Sequence, residues 1–155
     1  MRDGFPIGGG SEAELLLRWL GYLRGAVLSS SDGLTDTQAR TRPHGRLIPV
    51  LGIVRHLTCV EQRWIDGGFQ GADVGRSEEE FAPGPEHTVD SVRANYLQRA
   101  ESTDSFVRGT PLSTPCATEP GTDLRWVLLH LINETARHAG HADATRELLD
   151  GRTGE

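Results

Sequence analysis

The stretch from Leu124 to Gly151, LRWVLLHLINETARHAGHADATRELLDG, decides the fold. It is free of proline and carries polar side chains at intervals of four, four and three residues: His130, Glu134, His138 and His141. A helix turns by about 100° per residue, so these side chains lie along one stripe of a single helix. We predict that Thr122 or Asp123 caps this helix and that Gly151 ends it. Such a polar stripe beside an apolar one is costly to bury without a partner, and a divalent metal ion would be a suitable partner.

Three further segments have apolar residues at helical spacing. Their predicted bounds are about Glu12 to about Ser30, about Ile48 to Asp66, and about Val89 to Val107. Ser11 and Glu14 have capping-box spacing at the start of the first helix, and Gly67-Gly68 is expected to end the second. No stretch has the pattern of a strand, so the fold class is predicted to be all-α. An up-and-down four-helix bundle is the economical arrangement, although one long crossover connection would also fit.

The segments between these helices are rich in glycine and proline. Residues 1–10, with three consecutive glycines, are predicted to form a flexible leader, and Thr35–Arg40 a short helical turn. Residues 67–87 hold five glycines and two prolines, and they exceed the roughly two to eight residues usual between bundle helices. Long connections of this kind often cover a binding site. A chain of 155 residues is expected to form a single domain, 1–155.

The composition is that of a soluble globular protein, with 36% hydrophobic and 25% charged residues. The net charge is −6 and the basic residues are not clustered, which argues against nucleic acid as a partner. No apolar run approaches the roughly 20 residues of a membrane helix, and the N-terminus has no apolar signal segment. We therefore expect a cytoplasmic protein with no membrane partner. Cys59 and Cys116 form no CxxC motif and are expected to be reduced.

Glu134 and His138 stand four residues apart, so both side chains can reach one ion from the same helix. A third ligand must come from another helix, and His56 is the one histidine deep inside a second predicted helix. Its neighbours Ile53 and Val60 place it on an apolar face, where an imidazole needs a partner. We therefore predict that His56, Glu134 and His138 bind a divalent metal ion. Three such ligands leave one coordination position open, which could hold a thiolate or could activate water.

Several nearby side chains are open to two interpretations. His141 could replace His138 as a ligand or could orient a ligand, and His130 could line the pocket or pack against its neighbours. Further candidate pocket residues, each of which could instead be an ordinary core or surface residue, are Trp64, Trp126, Cys59 and Arg137. A cysteine in such a place could be a thiolate ligand, and an arginine could bind an anionic substrate.

Two motifs resemble the DinB-like superfamily and, within it, the DUF664 branch: VLGIVRHLTCVEQRW at 50–64 and ETARHAGHADATRELLDG at 134–151. TVDSVRANY at 88–96 also resembles that branch. The resemblance implies a four-helix bundle with a divalent metal, zinc first and nickel as the alternative, held by one histidine of the second helix and two residues of the last. His56, Glu134 and His138 occupy those positions. Many members carry HxxxH in the last helix, whereas the Glu-x-x-x-His of this chain is similar to the thiol-dependent maleylpyruvate isomerase members.

Characterised members of the superfamily include transferases and isomerases that use low-molecular-weight thiols such as mycothiol or bacillithiol. The resemblance therefore implies a metal-dependent enzyme, an S-transferase or isomerase, with a thiol co-substrate and a small-molecule substrate. Two other hypotheses stay open: a non-catalytic, stress-related metalloprotein that binds a small ligand, and a metal-free structural bundle. Dimers are common among such bundles, so a homodimer is also open.

Overall fold

Four long helices form a bundle in the computed structural model, which describes residues 4–154. The long helices are α1 (Glu12–Ser29), α3 (Val50–Gln62), α5 (Val89–Arg108) and α6 (Leu124–Asp150), and the short ones are α2 (Asp36–Ala39) and α4 (Gly68–Gln70). Short 3-10 turns occupy Pro43–Gly45 and Glu78–Phe81. The described residues contain no strand, only an isolated bridge, and none of their helices is long and apolar enough to cross a membrane. The predicted all-α bundle is confirmed.

Polar caps fix most helix ends where the sequence predicts them. Ser11, Thr88 and Asp123 each accept a hydrogen bond from the backbone N–H three residues further on, at the starts of α1, α5 and α6. Gly151 ends α6 with a φ of 76°, a left-handed conformation that favours glycine. A side-chain cap at the start of a helix contributes about 1 kcal/mol to helix stability. The bounds of α1, α5 and α6 therefore follow from local sequence signals.

The second predicted helix extends further than expected. Gly67 and Gly68 do not end it, because α3 continues through a π-helical turn at Arg63–Gly67 into α4, and the helix stops only at Gly71 with a φ of 72°. The prediction that this glycine pair is a terminator was wrong. Both glycines are buried, and a Cβ atom at Gly68 would lie only 3.0 Å from the Cys116 sulfur. Their small size thus serves close packing inside a helix rather than chain reversal.

Two contacts between α1 and α6 give the relative direction of these helices. Arg125 near the start of α6 binds Glu12 at the start of α1, and Arg146 near the end of α6 donates to the Ser30 carbonyl just after α1. Helices α1 and α6 are therefore parallel.

Helices α3 and α5 are parallel as well. Asp66, past the end of α3, pairs with Arg99 in the second half of α5, while Thr58 and Val92 line a common small cavity nearer their starts. The order is up, down, down, up. Of the two connectivities that fit the sequence, the one with a long crossover is observed, and residues 71–88 form that crossover. They run back along the whole length of α3.

The bundle interior contains two apolar clusters and a buried ion network. The apolar side chains that are fully buried include Leu20, Leu51, Ile53, Leu57, Ile65, Leu124, Leu128 and Leu131. Arg24 of α1 donates from Nε and Nη2 to Glu61 of α3, at 2.8 and 2.7 Å, and from Nη1 to Asp104 of α5 at 2.8 Å. This network joins three helices, and it could not be predicted from the apolar pattern of the chain.

The predicted leader is described only in part. Residues 1–3 of the predicted segment 1–10 lie outside the described residues, and residues 4–10 form neither helix nor strand. Arg18 of α1 donates a hydrogen bond of 2.8 Å to the Gly9 carbonyl.

Candidate metal centre and its cavity

The three residues predicted as ligands converge between α3 and α6. His56, Glu134 and His138 each offer one ligand atom, and these atoms all lie within 4.8 Å of one another. Glu134 Oε1 is 3.5 Å from His56 Nε2 and 3.2 Å from His138 Nε2. Ligands at about 2.0–2.1 Å from a tetrahedral zinc ion are separated by about 3.3 Å, so both spacings suit a common ion. Helices α3 and α6 run antiparallel here, which brings the middle of one helix against the middle of the other.

His56 Nε2 is the atom that most directly indicates a missing partner. The residue is only 2% exposed, and Nε2 has no hydrogen-bond partner among the described residues. Buried polar atoms are almost always paired, so an orphaned ring nitrogen that faces a carboxylate and a second imidazole is a natural ligand for a cation. The donor set of two imidazoles and one carboxylate thus fits a divalent ion such as zinc.

Glu80, on the crossover segment, orients the His56 ring. Its Oε2 lies 2.9 Å from His56 Nδ1. Burial alone would raise the pKa of Glu80, but hydrogen bonds from Arg63 and His56 outweigh it and hold the pKa below its ordinary value. An ionised carboxylate can only accept, so Nδ1 carries the proton and Nε2 presents its lone pair towards Glu134. A carboxylate behind a ligating histidine fixes its tautomer and raises its basicity.

Contacts from the π-helical turn and from the crossover segment hold Glu80 in place. Arg63 Nη1 donates to Glu80 Oε1 at 2.8 Å, and the Ser77 backbone N–H donates to the same oxygen at 3.3 Å. The Phe81 ring stacks on the His56 ring with centroids 4.1 Å apart. Glu80 was not among the site residues predicted from the sequence. The spacing of Ser77 and Glu80 is a capping-box signal for a helical turn, but it does not show which helix the turn packs against.

The pKa values of the other two ligand candidates, His138 and Glu134, are also shifted. Burial lowers the pKa of His138, and the nearby His56 ring lowers it further. Burial would raise the pKa of Glu134, but the two imidazoles outweigh it and the net shift is downward. Neutral imidazole and ionised carboxylate are the forms that bind metal ions.

A cavity of about 670 Å³ opens beside this triad. His56 and Glu134 contribute to its lining, together with the π-helical turn, the crossover segment and α6. Of the side chains that the sequence suggested for a pocket, Trp64, His130 and Arg137 line it. The volume is within the range of small-molecule sites, which is about 300–1,000 Å³.

The remaining predicted residues lie around this centre. His141 is exposed and contacts His138 edge-on, with ring centroids 5.4 Å apart. Trp126, which is 41% exposed, stacks on His130 and supports the cavity wall from outside. Cys59 lines a separate, smaller cavity with Thr58 and Asn95, and burial followed by the charge of Glu80 raises the pKa of its thiol.

Comparison with known proteins agrees with this architecture. A family model described as mycothiol-S-transferase, a DinB-like family, matches residues 15–151. A crystal structure of a conserved protein from Enterococcus faecalis superposes with a TM-score of 0.73 at 16% identity, over 93% of this chain and 100% of that chain. At that identity the likeness shows the fold alone. No curated protein matches the sequence. Because the family model spans nearly all of the bundle, the chain belongs to the mycothiol-S-transferase family.

Proposed function

We propose that this protein is a metal-dependent enzyme that transfers a low-molecular-weight thiol, of the mycothiol kind, to a small electrophile. One observation carries the proposal: the buried, unpaired Nε2 of His56 lies among ligand atoms of Glu134 and His138 beside a cavity of about 670 Å³. The membership in the mycothiol-S-transferase family supports the thiol as co-substrate. The donor set supports zinc before nickel.

His56, Glu134 and His138 would hold the divalent ion, which would supply Lewis acidity that favours the ionised form of a thiol near neutral pH. The chain itself provides the geometry. Glu80 holds the His56 tautomer, and Glu134 keeps its negative charge in reach of both imidazoles. Three protein ligands leave a position for a further group, which is the arrangement of catalytic rather than structural sites.

The rest of the cavity positions the second substrate. Trp64 and His130 form an aromatic part of the wall, with ring centroids 4.7 Å apart. An electrophile held against this wall would stand beside the thiol sulfur, and such positioning removes much of the entropic barrier to a two-substrate reaction. In the transfer, a carbon–sulfur bond forms, the leaving group departs with its electron pair, and the thiol proton passes to solvent.

Two measurements on untagged protein test the proposal. Elemental analysis should find about one divalent ion per chain, and His138→Ala should abolish this content while His141→Ala retains it. The loaded protein is then incubated with mycothiol and 1-chloro-2,4-dinitrobenzene, and thioether formation and chloride release are followed. We expect a rate well above the uncatalysed one, which His56→Ala returns to background.

Each failure has a separate meaning. Metal content without any thioether above background, together with tight retention of a small ligand, would favour a binding protein over an enzyme. No metal in the wild-type protein, even after incubation with excess zinc, would overturn the metal-dependent mechanism.

A further inference from the structure

Two arginines that line the cavity have no partner among the residues that the structure describes. Arg76, on the crossover segment, and Arg137, on α6, both line it. Neither guanidinium makes a hydrogen bond or ion pair with any residue between 4 and 154, whereas most of the other arginines there do. Arg137 stands three residues after Glu134, so one of the free charges lies on the same helix as two ligand candidates.

The other charged groups of the lining do not neutralise this pair. Arg63 also lines the cavity, but it is engaged by Glu80 at 2.8 Å and by the Gly75 carbonyl at 3.1 Å. The carboxylates of the lining are Asp73 and Glu134, and Glu134 faces the two imidazoles. The cavity therefore presents two uncommitted guanidinium groups against the single exposed carboxylate of Asp73. A guanidinium is the side chain best suited to a planar carboxylate, because its N–H groups can donate in parallel pairs.

The cavity also has an apolar side, which requires an apolar surface on the ligand. This side is the aromatic wall formed by Trp64 and His130. Trp64 contacts both His130 and Trp126, and the stacked rings of Trp126 and His130 are nearly parallel, with an angle of 3° between their planes. Val60 and Val74 add aliphatic surface to the same cavity. A ligand that satisfies both requirements has a flat apolar body and a carboxylate at one end.

We propose that the cavity binds an aryl or similarly planar carboxylate, whose anionic group is recognised by Arg76 and Arg137 and whose flat body lies against Trp64 and His130. The inference rests on the proposed function in one respect: it takes this carboxylate to be the electrophile to which the thiol is transferred. Binding itself does not depend on that role, so it can be tested separately from turnover.

The test compares 2-naphthoate with 2-naphthamide, which have the same shape and differ in charge. Binding of each to the metal-loaded protein is measured by isothermal titration calorimetry. We expect the carboxylate to bind at least about tenfold more tightly than the amide, since a hydrogen bond between a guanidinium and an ionised carboxylate is stronger than one to a neutral amide. Arg137→Gln and Arg76→Gln should each remove most of this preference. Arg46→Gln deletes an exposed arginine that is not part of the lining, and it should leave the preference unchanged.

Three results would overturn the proposal. The first is equal affinity for 2-naphthoate and 2-naphthamide. The second is a loss of the preference for naphthoate in Arg46→Gln as large as in the cavity variants, which would indicate a general effect of charge. The third is a preference that survives in the Arg76→Gln/Arg137→Gln double variant, since the carboxylate would then be recognised elsewhere, for example by the metal ion. The proposed transferase function fails independently: a protein that prefers naphthoate but forms no thioether keeps this subsite and loses its assigned reaction.

Discussion

His56 Nδ1 and Glu80 Oε2 lie 2.9 Å apart, and this contact joins a ligand candidate on α3 to the segment that crosses over it. The crossover is therefore part of the site and not only a connection. Arg63 binds the same carboxylate from the other side, so Glu80 is fixed between the start of the π-helical turn and the imidazole. A substitution in the crossover should therefore change the metal affinity of the triad.

The first prediction concerns this carboxylate. Glu80→Gln keeps the shape of the side chain but replaces the anion behind His56 by a neutral acceptor, so the basicity of Nε2 falls. We expect metal affinity to decrease by about 10–100-fold, measured by competition with a chromophoric zinc chelator. Glu79→Gln is the matched control, because Glu79 is exposed and its carboxylate has no contact with the triad. Equal affinities of the two variants would contradict a positioning role for Glu80.

The second prediction concerns the close approach of the crossover to α3. A Cβ atom at Gly52 would overlap the backbone carbonyl of Phe81, which cannot rotate away as a side chain could. Gly52→Ala should therefore displace the Glu78–Phe81 turn and weaken the contact of Glu80 with His56. Overpacking of this kind typically costs about 1–3 kcal/mol, and the better helix propensity of alanine offsets about 1 kcal/mol of it. Hydrogen exchange should rise specifically in residues 77–87.

Gly21→Ala provides the comparison for Gly52→Ala. Gly21 is an exposed position within α1, and a Cβ atom there would meet nothing within 4 Å. This variant should be as stable as the wild type or slightly more stable, with unchanged exchange in the crossover. If both alanine variants behave alike, the tight approach at Phe81 is not important for stability.

The sequence predicted the local parts of the structure well. Caps such as Ser11 and Asp123 and the left-handed Gly151 act within one turn of helix, so their effect can be deduced from neighbouring residues alone. The convergence of His56 on the stripe of α6 could also be predicted, because an imidazole on an apolar face requires a buried partner.

The parts that could not be predicted depend on contacts between distant segments. Gly67 and Gly68 stay helical despite their low helix propensity, and Gly68 packs closely against Cys116, a residue distant in the sequence. Glu80 belongs to the run Glu78-Glu79-Glu80, and only the path of the crossover selects the last of the three for burial against His56. In the same way Arg24 of α1 has its partners on two other helices, Glu61 on α3 and Asp104 on α5, and no local pattern joins them.

The third prediction concerns that buried network. Arg24→Met leaves Glu61, which is 1% exposed, without its bidentate partner in the core. Breaking a buried pair from one side costs about 3–5 kcal/mol, and we expect a loss of this size in chemical denaturation. Arg108→Gln removes an arginine of the exposed pair with Glu14 and should change stability very little. A small effect of Arg24→Met would contradict a major contribution of this network to stability.

The last prediction separates the protein's own thiols from the thiol of the proposed co-substrate. Burial raises the pKa of Cys59, so at neutral pH its thiolate fraction is smaller than that of a free thiol. Alkylation of Cys59 by iodoacetamide, followed by peptide mass spectrometry, should be slower than that of N-acetylcysteine, and its pH midpoint should be shifted upward. Cys59→Ala should also keep wild-type metal content and thioether formation, because Cys59 lines a different cavity from the triad. Fast alkylation of Cys59 at pH 7 would contradict a raised thiol pKa. Loss of turnover in Cys59→Ala, with metal content retained, would instead point to Cys59 as the nucleophile and contradict a mechanism in which the sulfur comes from a separate small molecule.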